Sequence, residues 1–227
     1  MQYNHMMEGI FLKRPNRFLA HVKINGQEEL CHVKNTGRLG ELLLPGAKVY
    51  VSQNENPNRK TKYSLIAVEK EGSIYNIDSQ APNQLALEWV NSGRFIEGVT
   101  FVKPEKTYGK SRFDLYIETS DKKIFMEVKG VTLNQDGTAL FPDAPTERGK
   151  KHVMELCDAL EEGYEAYILF VVKFKPVKGF SPNTLRHPDF TKCLQEAKEK
   201  GVHVMAVSCH VEPSEVYIES EIPVFLS

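Results

Sequence analysis

The residues best suited to chemistry lie in one segment of the chain, SRFDLYIETSDKKIFMEVKGV. Its alternation predicts a β-hairpin that turns at the Ser-Asp dipeptide in the middle of the segment. In that register Asp114 faces Glu127 and Arg112 faces Lys129, and all four side chains share one face. The other face is predicted to be core, and it carries Phe113, Leu115, Ile117, Ile124, Met126 and Val128.

Two carboxylates that face each other repel and destabilise a sheet unless something offsets their charge. A divalent cation such as Mg²⁺ would do so, because hard cations take oxygen ligands. Lys129, two residues after Glu127, would then polarise an attacking water or meet the charge of a phosphate. The alternative is a structural charge ladder, in which Asp114 pairs diagonally with Lys129 and Glu127 pairs with Arg112.

The stretch before the hairpin, NQLALEWVNSG, is predicted to be a helix that opens at Pro82 and closes at Gly93. Leu85 and Trp89 are four residues apart and define its buried stripe, which Glu88 borders. Glu88 is therefore either a third carboxylate at the site or a flanking residue that reaches solvent.

The helix after the hairpin is predicted over residues 148–162 and begins with RGKKHVMEL. Its first turn is crowded by Arg148, Lys150, Lys151 and His152, although positive charge is unfavourable at this end of a helix dipole. Such crowding is understandable if an anion such as a phosphate binds there. The alternative is an ordinary solvated polar face.

The pattern of secondary structure changes near residue 80. Residues 1–80 contain six short runs rich in β-branched and aromatic residues, with Asn25-Gly26 as a two-residue hairpin turn. They predict an OB-fold-like β-barrel. Residues 81–227 follow the order α-β-β-β-α-β-α-β, which predicts a mixed sheet with helices on its faces. The predicted fold class is therefore α/β with two domains.

Composition excludes several classes of protein. With 227 residues, 41% hydrophobic and 26% charged, the chain is not disordered, collagen-like or a coiled coil. It has no apolar run of membrane-spanning length, and its start lacks the features of a signal peptide, so we expect a cytosolic protein without a membrane partner. The cysteines lack CxxC spacing, and we expect reduced thiols at Cys31, Cys157, Cys193 and Cys209.

Positive charge is concentrated in the predicted barrel. Residues 1–80 hold 11 Lys and Arg against 8 Asp and Glu, although the whole chain has a net charge of −1. OB-folds bind single strands with a basic groove and stacking aromatics. We assign most of the barrel aromatics (Phe11, Phe18, Tyr50, Tyr63 and Tyr75) to the core. The candidates for nucleic-acid contacts in this half are Arg14, Arg17, Arg38, Arg59, Lys60 and Lys62.

Long runs in a fixed order make the chain resemble the sugar fermentation stimulation protein A family. They include PNRFLAHV, NTGRLGELLLPG, YGKSRFDLYIE, EVKGVTL and FPDAPTERGKKHVMEL. The spacing of Asp114, Glu127 and Lys129 also resembles the PD-(D/E)xK nuclease motif, with Phe113 at the proline position. On this resemblance those three residues match the nuclease triad, and Glu88 matches an upstream helical acid.

The resemblance implies a bacterial DNA-binding protein with a suggested regulatory role in maltose metabolism. It also implies an OB-like domain joined to a PD-(D/E)xK restriction-endonuclease-like domain. Our leading hypothesis is phosphodiester hydrolysis that depends on Mg²⁺ or Mn²⁺, with Asp114, Glu127 and the Val128 carbonyl as ligands. Arg112, Arg148 and Lys151 would contact nucleic acid, which is DNA in the leading hypothesis and RNA in a weaker one. The alternative is a non-catalytic DNA-binding regulatory protein that retains a nuclease fold.

Overall fold

The structure is a computed structural model that describes residues 1–56, 58–109 and 111–226. The chain forms two compact units. The first comprises Met1–Ala81, Lys173–Pro176 and Cys209–Tyr217. The second comprises Pro82–Val172, Val177–Ser208 and Ile218–Ser227.

The first unit is built on a closed β-barrel. Five strands follow the order β3-β2-β1-β4-β5, and a parallel pairing of β3 with β5 closes the ring. A sixth strand, β6, pairs with β5. The OB-like barrel predicted from the sequence is thereby confirmed. The strands are β1 (Met6–Asn16), β2 (Leu19–Ile24), β3 (Gln27–Val33), β4 (Lys48–Gln53), β5 (Tyr63–Lys70) and β6 (Ser73–Asn76).

Local sequence explains the β2–β3 hairpin. Asn25 and Gly26 both have positive φ, 48° and 84°, as the favoured two-residue hairpin turn requires. Alternate residues of β2, namely Ala20, Val22 and Ile24, are buried in the barrel. This period of two is the pattern expected of a strand with one face toward a core.

The remaining elements form a layered α/β arrangement around one mixed sheet of order β15-β14-β12-β9-β8-β7. Strands β9, β12 and β14 are parallel, whereas β7, β8 and β9 are antiparallel. Helix α2 packs on β9 and β12 and against α3. The elements are α1 (Ala81–Asn91), β7 (Phe101–Tyr108), β8 (Ser111–Glu118), β9 (Lys123–Val131), β10 (Leu133–Gln135), β11 (Thr138–Phe141), α2 (Glu147–Glu161), β12 (Glu165–Val172), β13 (Gly179–Pro182), α3 (Pro188–Lys200), β14 (His203–Val211) and β15 (Val216–Ile222).

The predicted order of helices and strands is confirmed, with additions. A small sheet of order β10-β11-β13 and the edge strand β15 were not predicted. Strand β12 lies between β9 and β14, and its residues 168–172 are buried without alternation, as expected of a strand covered on both faces. The helix limits follow from local signals, since Pro188 opens α3 and Gly201, at φ 109°, caps its end.

Two further expectations concern membranes and thiols. Across the described ranges, no helix combines the length and apolar character that a membrane crossing requires. Cys31 and Cys209 are buried and Cys157 and Cys193 partly so, and all four carry free thiols, as predicted.

Candidate active site

The β8–β9 hairpin has the register that the sequence predicts. Leu115 pairs with Met126, and the ladder continues to Glu118 and Lys123 at the turn. The six residues assigned to the core face are buried: Phe113, Leu115, Ile117, Ile124, Met126 and Val128.

Just beyond this ladder the hairpin carries Asp114, whose side chain bonds to the backbone of β9. The Asp114 carboxylate accepts a hydrogen bond from the backbone N–H of Val128, with 2.7 Å between Oδ2 and N. Its other oxygen accepts from the side-chain amide of Asn83 on α1, also at 2.7 Å. Two donors from different elements therefore fix the orientation of this carboxylate.

Ionisation of Asp114 is opposed by its surroundings. Burial and the nearby charge of Glu127 raise its pKa, against the donors from Val128 and Asn83 and the charge of Lys129. The two carboxylates that the sequence places opposite each other are therefore near enough for the charge of Glu127 to raise the pKa of Asp114.

Glu127 lies at the centre of the site and is 2% exposed. Its Oε1 accepts hydrogen bonds from Lys129 Nζ at 2.5 Å and from His152 Nδ1. Burial alone would raise the pKa of Glu127, but the His152 hydrogen bond and the Lys129 charge outweigh it and hold the pKa below its ordinary value. Glu127 is therefore a buried carboxylate whose hydrogen-bond donors favour its charged form.

The second oxygen of Glu127 differs from the first. Oε2 is buried and has no hydrogen-bond partner among the residues that the structure describes. A buried acceptor without a donor is rare, and it costs more when the group is charged. An oxygen of this kind, beside a second carboxylate, fits a hard cation such as Mg²⁺, Mn²⁺ or Ca²⁺.

His152 reaches Glu127 from α2 and is itself held in place. Arg148, one turn earlier, donates from Nε to His152 Nε2 at 3.3 Å. The sequence places His152 in a crowded first turn but gives no sign that it meets Glu127. The spacing of Arg148 and His152, four residues apart, is the one signal that places them on the same face of the helix.

Helix α1 brings a different residue to the site from the one singled out in the sequence. Leu85 and Trp89 are buried as predicted. Asn83 bonds to Asp114, whereas Glu88 is exposed and accepts from the side-chain amide of Gln84 at 2.9 Å. The rotation of α1 that buries Leu85 and Trp89 therefore presents an amide to the hairpin.

The predicted cations of the second unit lie at its surface. The sequence predicts that Arg112 shares one face with Asp114, Glu127 and Lys129. Instead it forms an exposed ion pair with Glu105 at 3.1 Å, which corrects its placement in that cluster. Lys151 is paired with Glu155 at 3.6 Å, with its side chain 60% exposed.

Comparison with known proteins agrees with this architecture. Residues 12–77 match the family model described as the SfsA N-terminal OB domain, and residues 80–215 match the sugar fermentation stimulation protein RE domain. The chain belongs to the sugar fermentation stimulation protein family. Homologues of that name from Ruminiclostridium cellulolyticum and Clostridium beijerinckii are each 51% identical to it over the full length of both chains.

A solved structure of the family extends the comparison to three dimensions. SfsA of Pyrococcus furiosus, solved in complex with Ca²⁺, is 32% identical and superimposes with a TM-score of 0.90. The match covers 99% of this chain and 98% of that one. The fold of an OB-like barrel joined to a mixed α/β sheet is therefore that of the family.

Within the barrel, one predicted nucleic-acid residue has a structural role. The Arg14 guanidinium donates to four backbone carbonyls, those of Arg17, Asn35, Gly37 and Arg38, at 2.6–2.9 Å. It ties two loops together, because these carbonyls engage both of its terminal nitrogens, and its Nε is buried. This is a correction to its assignment as a phosphate contact.

The other residues of the barrel predicted to contact nucleic acid are exposed. Of the five aromatics weighed in the sequence, Phe18 is 56% exposed and the other four are buried, as expected for a small barrel. Arg17 and Phe18 form the β1–β2 turn, and the loop between β4 and β5 presents further cations. The exposed candidates are Arg17, Arg38, Arg59, Lys60 and Lys62.

Proposed function

We propose that this protein binds nucleic acid and hydrolyses phosphodiester bonds with a divalent cation, Mg²⁺ or Mn²⁺, held by Asp114 and Glu127. The observation that carries the proposal is the buried Oε2 of Glu127, which has no donor within the described ranges. Asp114, fixed by Asn83 and Val128, supplies the second carboxylate. The Ca²⁺ complex of the Pyrococcus furiosus relative supports a divalent cation in this family.

Each residue of the site has a chemical role in this proposal. A bound cation would stabilise charge on the phosphate oxygens and lower the pKa of a water molecule. Asp114 and Glu127 would hold it, with the Val128 carbonyl as a further ligand. Lys129, whose ammonium group lies in the same cluster, would orient the attacking water or neutralise charge on the phosphate.

The barrel carries exposed cations and an exposed aromatic residue suited to nucleic-acid binding. OB-folds bind oligonucleotides through the β1–β2 and β4–β5 loops and the strands beside them. Here the first of these loops carries Arg17 and the exposed Phe18, and the second carries Arg59, Lys60 and Lys62. A cationic loop and an exposed aromatic suit a single strand, with modest and salt-sensitive affinity. DNA is the proposed partner.

A cleavage assay tests the proposal. Purified protein and its Asp114→Ala variant are incubated with single- and double-stranded DNA and RNA, in Mg²⁺, Mn²⁺ or EDTA. We expect metal-dependent cutting by the natural protein alone. Cutting that persists in EDTA, or that Asp114→Ala retains, would overturn the assignment of the site.

One observation favours a second candidate, a non-catalytic DNA-binding protein with a regulatory role in sugar metabolism. Lys129 and His152 already offset the charge of Glu127 within the protein. Such a cluster is stable without turnover. Salt-sensitive DNA binding with no cleavage in any metal would favour this candidate.

A further inference from the structure

The start of helix α2 is set by local packing, which fixes where its first residues point. Thr146 caps the helix, and its side chain accepts from the backbone N–H of Gly149 at 2.9 Å. A Cβ atom at Gly149 would lie 2.8 Å from the Thr146 methyl group, so a larger residue would displace this turn. Arg148 and His152 therefore project from a defined position on one helix face.

The hydrogen bond between Arg148 and His152 determines which nitrogen of the neutral imidazole carries the proton. An arginine Nε–H is a donor and has no acceptor capacity. Because it donates to His152 Nε2, that nitrogen carries the lone pair and the proton of the neutral ring lies on Nδ1. Nδ1 is the atom that faces Glu127 Oε1, so it donates to the carboxylate.

As a result, the two carboxylate oxygens of Glu127 differ in their hydrogen-bond donors. Oε1 receives both donors, from His152 and Lys129, and Oε2 receives none from the part of the chain that the structure describes. We propose that His152 is a positioning residue: its Nδ1–H holds Oε1 so that Oε2 stays open to a divalent cation, and Arg148 selects the tautomer that makes this possible. The inference rests on the proposed function, because it assumes that a cation binds at Glu127.

The proposal distinguishes two substitutions of similar size. An asparagine amide extends from the backbone about as far as imidazole Nδ1, whereas a glutamine amide extends as far as Nε2. His152→Asn therefore keeps a donor toward Glu127, and His152→Gln moves it away. Loss of such a supporting hydrogen bond typically weakens metal affinity about 10- to 100-fold.

Calorimetric titration of the full chain with Ca²⁺ and with Mn²⁺ measures the metal affinity of each variant without relying on activity. We expect His152→Gln to lose affinity about 10- to 100-fold and His152→Asn to retain most of it. Circular dichroism and the melting temperature establish that both variants fold. Equal affinities for the two variants, or wild-type affinity in His152→Gln, would overturn the positioning role.

The same titration separates this proposal from the nuclease assignment. If the natural protein binds cation in the predicted order of variants but cuts no nucleic acid, the positioning role stands and the proposed catalysis fails. If it cuts nucleic acid while the two variants bind cation equally, the catalysis stands and the positioning role fails. If the natural protein binds neither cation, the positioning role is overturned.

Discussion

Among the residues that the structure describes, two buried clusters combine a carboxylate with a lysine, and they differ in whether every carboxylate oxygen has a donor. In the second unit, Glu127 has an oxygen without a donor within the described ranges. In the first unit, Asp78 is fully buried and both of its carboxylate oxygens are satisfied. Oδ1 accepts from the Gln80 backbone, and Oδ2 accepts from Tyr3 and Lys34.

Lys173 completes the Asp78 cluster. Lys173 is 2% exposed, and its ammonium group donates to the Asp78 backbone carbonyl at 2.7 Å. Asn76 also donates to the Tyr3 hydroxyl at 3.1 Å. A buried polar cluster whose members satisfy one another serves stability, whereas one that leaves a charged oxygen open is suited to a ligand. The following predictions test this difference between the Glu127 cluster and the Asp78 cluster.

The largest effect is expected for the lysine of the Glu127 cluster. Lys129→Met removes the group proposed to orient the attacking water, and such groups contribute about 100- to 10,000-fold to rate. We expect cleavage to fall by at least about 100-fold, measured by single-turnover kinetics in Mg²⁺. Lys123→Met, an exposed change on the same strand, is the matched control. A loss of less than tenfold, by the same scale, would contradict the assigned role.

The Asp78 cluster is expected to respond in stability instead. Asp78→Ala removes the carboxylate that accepts from Tyr3 and Lys34 and whose charge favours protonated Lys173. Breaking a buried pair of this kind costs about 3–5 kcal/mol. Urea denaturation measures the free energy of unfolding, with the exposed Asp143→Ala as control. Equal destabilisation by both changes would show that the cluster does not support the fold.

The sequence predicted one of these clusters and not the other. Alternation and the two-residue turn gave the hairpin register, and with it Asp114 and Glu127, because strand pairing next to a tight turn is a local property. Lys173 sits at the end of a nearly apolar run, and nothing local shows that it meets Asp78. That contact depends on a segment that returns to the first unit after more than ninety intervening residues.

The supporting residues of the site could not be predicted from the sequence either, because their contacts also join segments that are distant along the chain. Asn83 rather than Glu88 bonds to Asp114, because tertiary packing sets the rotation of α1. His152 meets Glu127 because α2 lies on β9, which the helix sequence alone does not determine. The sequence predicts a surface cation at Arg14, yet its guanidinium donates to four loop carbonyls.

Lys173 also gives the Asp78 cluster a pH dependence. Burial lowers the pKa of Lys173 to about 8 from 10.5, against the attraction of Asp78. Below pH 8 both the folded and unfolded chains carry the proton, and the buried charge costs its full amount. Between about 8 and 10.5 the folded state has lost the proton that the unfolded state still binds, so this group's contribution to stability rises with pH.

Lys173→Met tests whether the contribution of Lys173 to stability rises with pH. Since one unit of pKa corresponds to about 1.4 kcal/mol, the gap between 8 and 10.5 limits the effect to about 3 kcal/mol. We expect the natural protein to gain stability relative to Lys173→Met as pH rises through this range, as measured by urea denaturation. A difference that is constant with pH would contradict the lowered pKa.

The smallest effect is expected on the barrel surface, outside both clusters. Lys60→Ala in the β4–β5 loop changes an exposed side chain, so the free energy of unfolding should stay within about 0.5 kcal/mol. If Lys60 contacts a phosphate, the dependence of DNA affinity on salt should weaken by about 0.7–0.9 in logarithmic slope. Fluorescence anisotropy over a salt series measures this, and an unchanged slope would remove Lys60 from the interface.

The central claim is that the open oxygen of Glu127 marks a cation site and that the satisfied carboxylate of Asp78 does not. Titration calorimetry of Mn²⁺ into the natural protein, Glu127→Gln and Asp78→Asn tests it most directly. We expect a single Mn²⁺ site that Glu127→Gln abolishes and that Asp78→Asn leaves intact in the folded protein. Binding that survives in Glu127→Gln, or no binding by the natural protein, would contradict it.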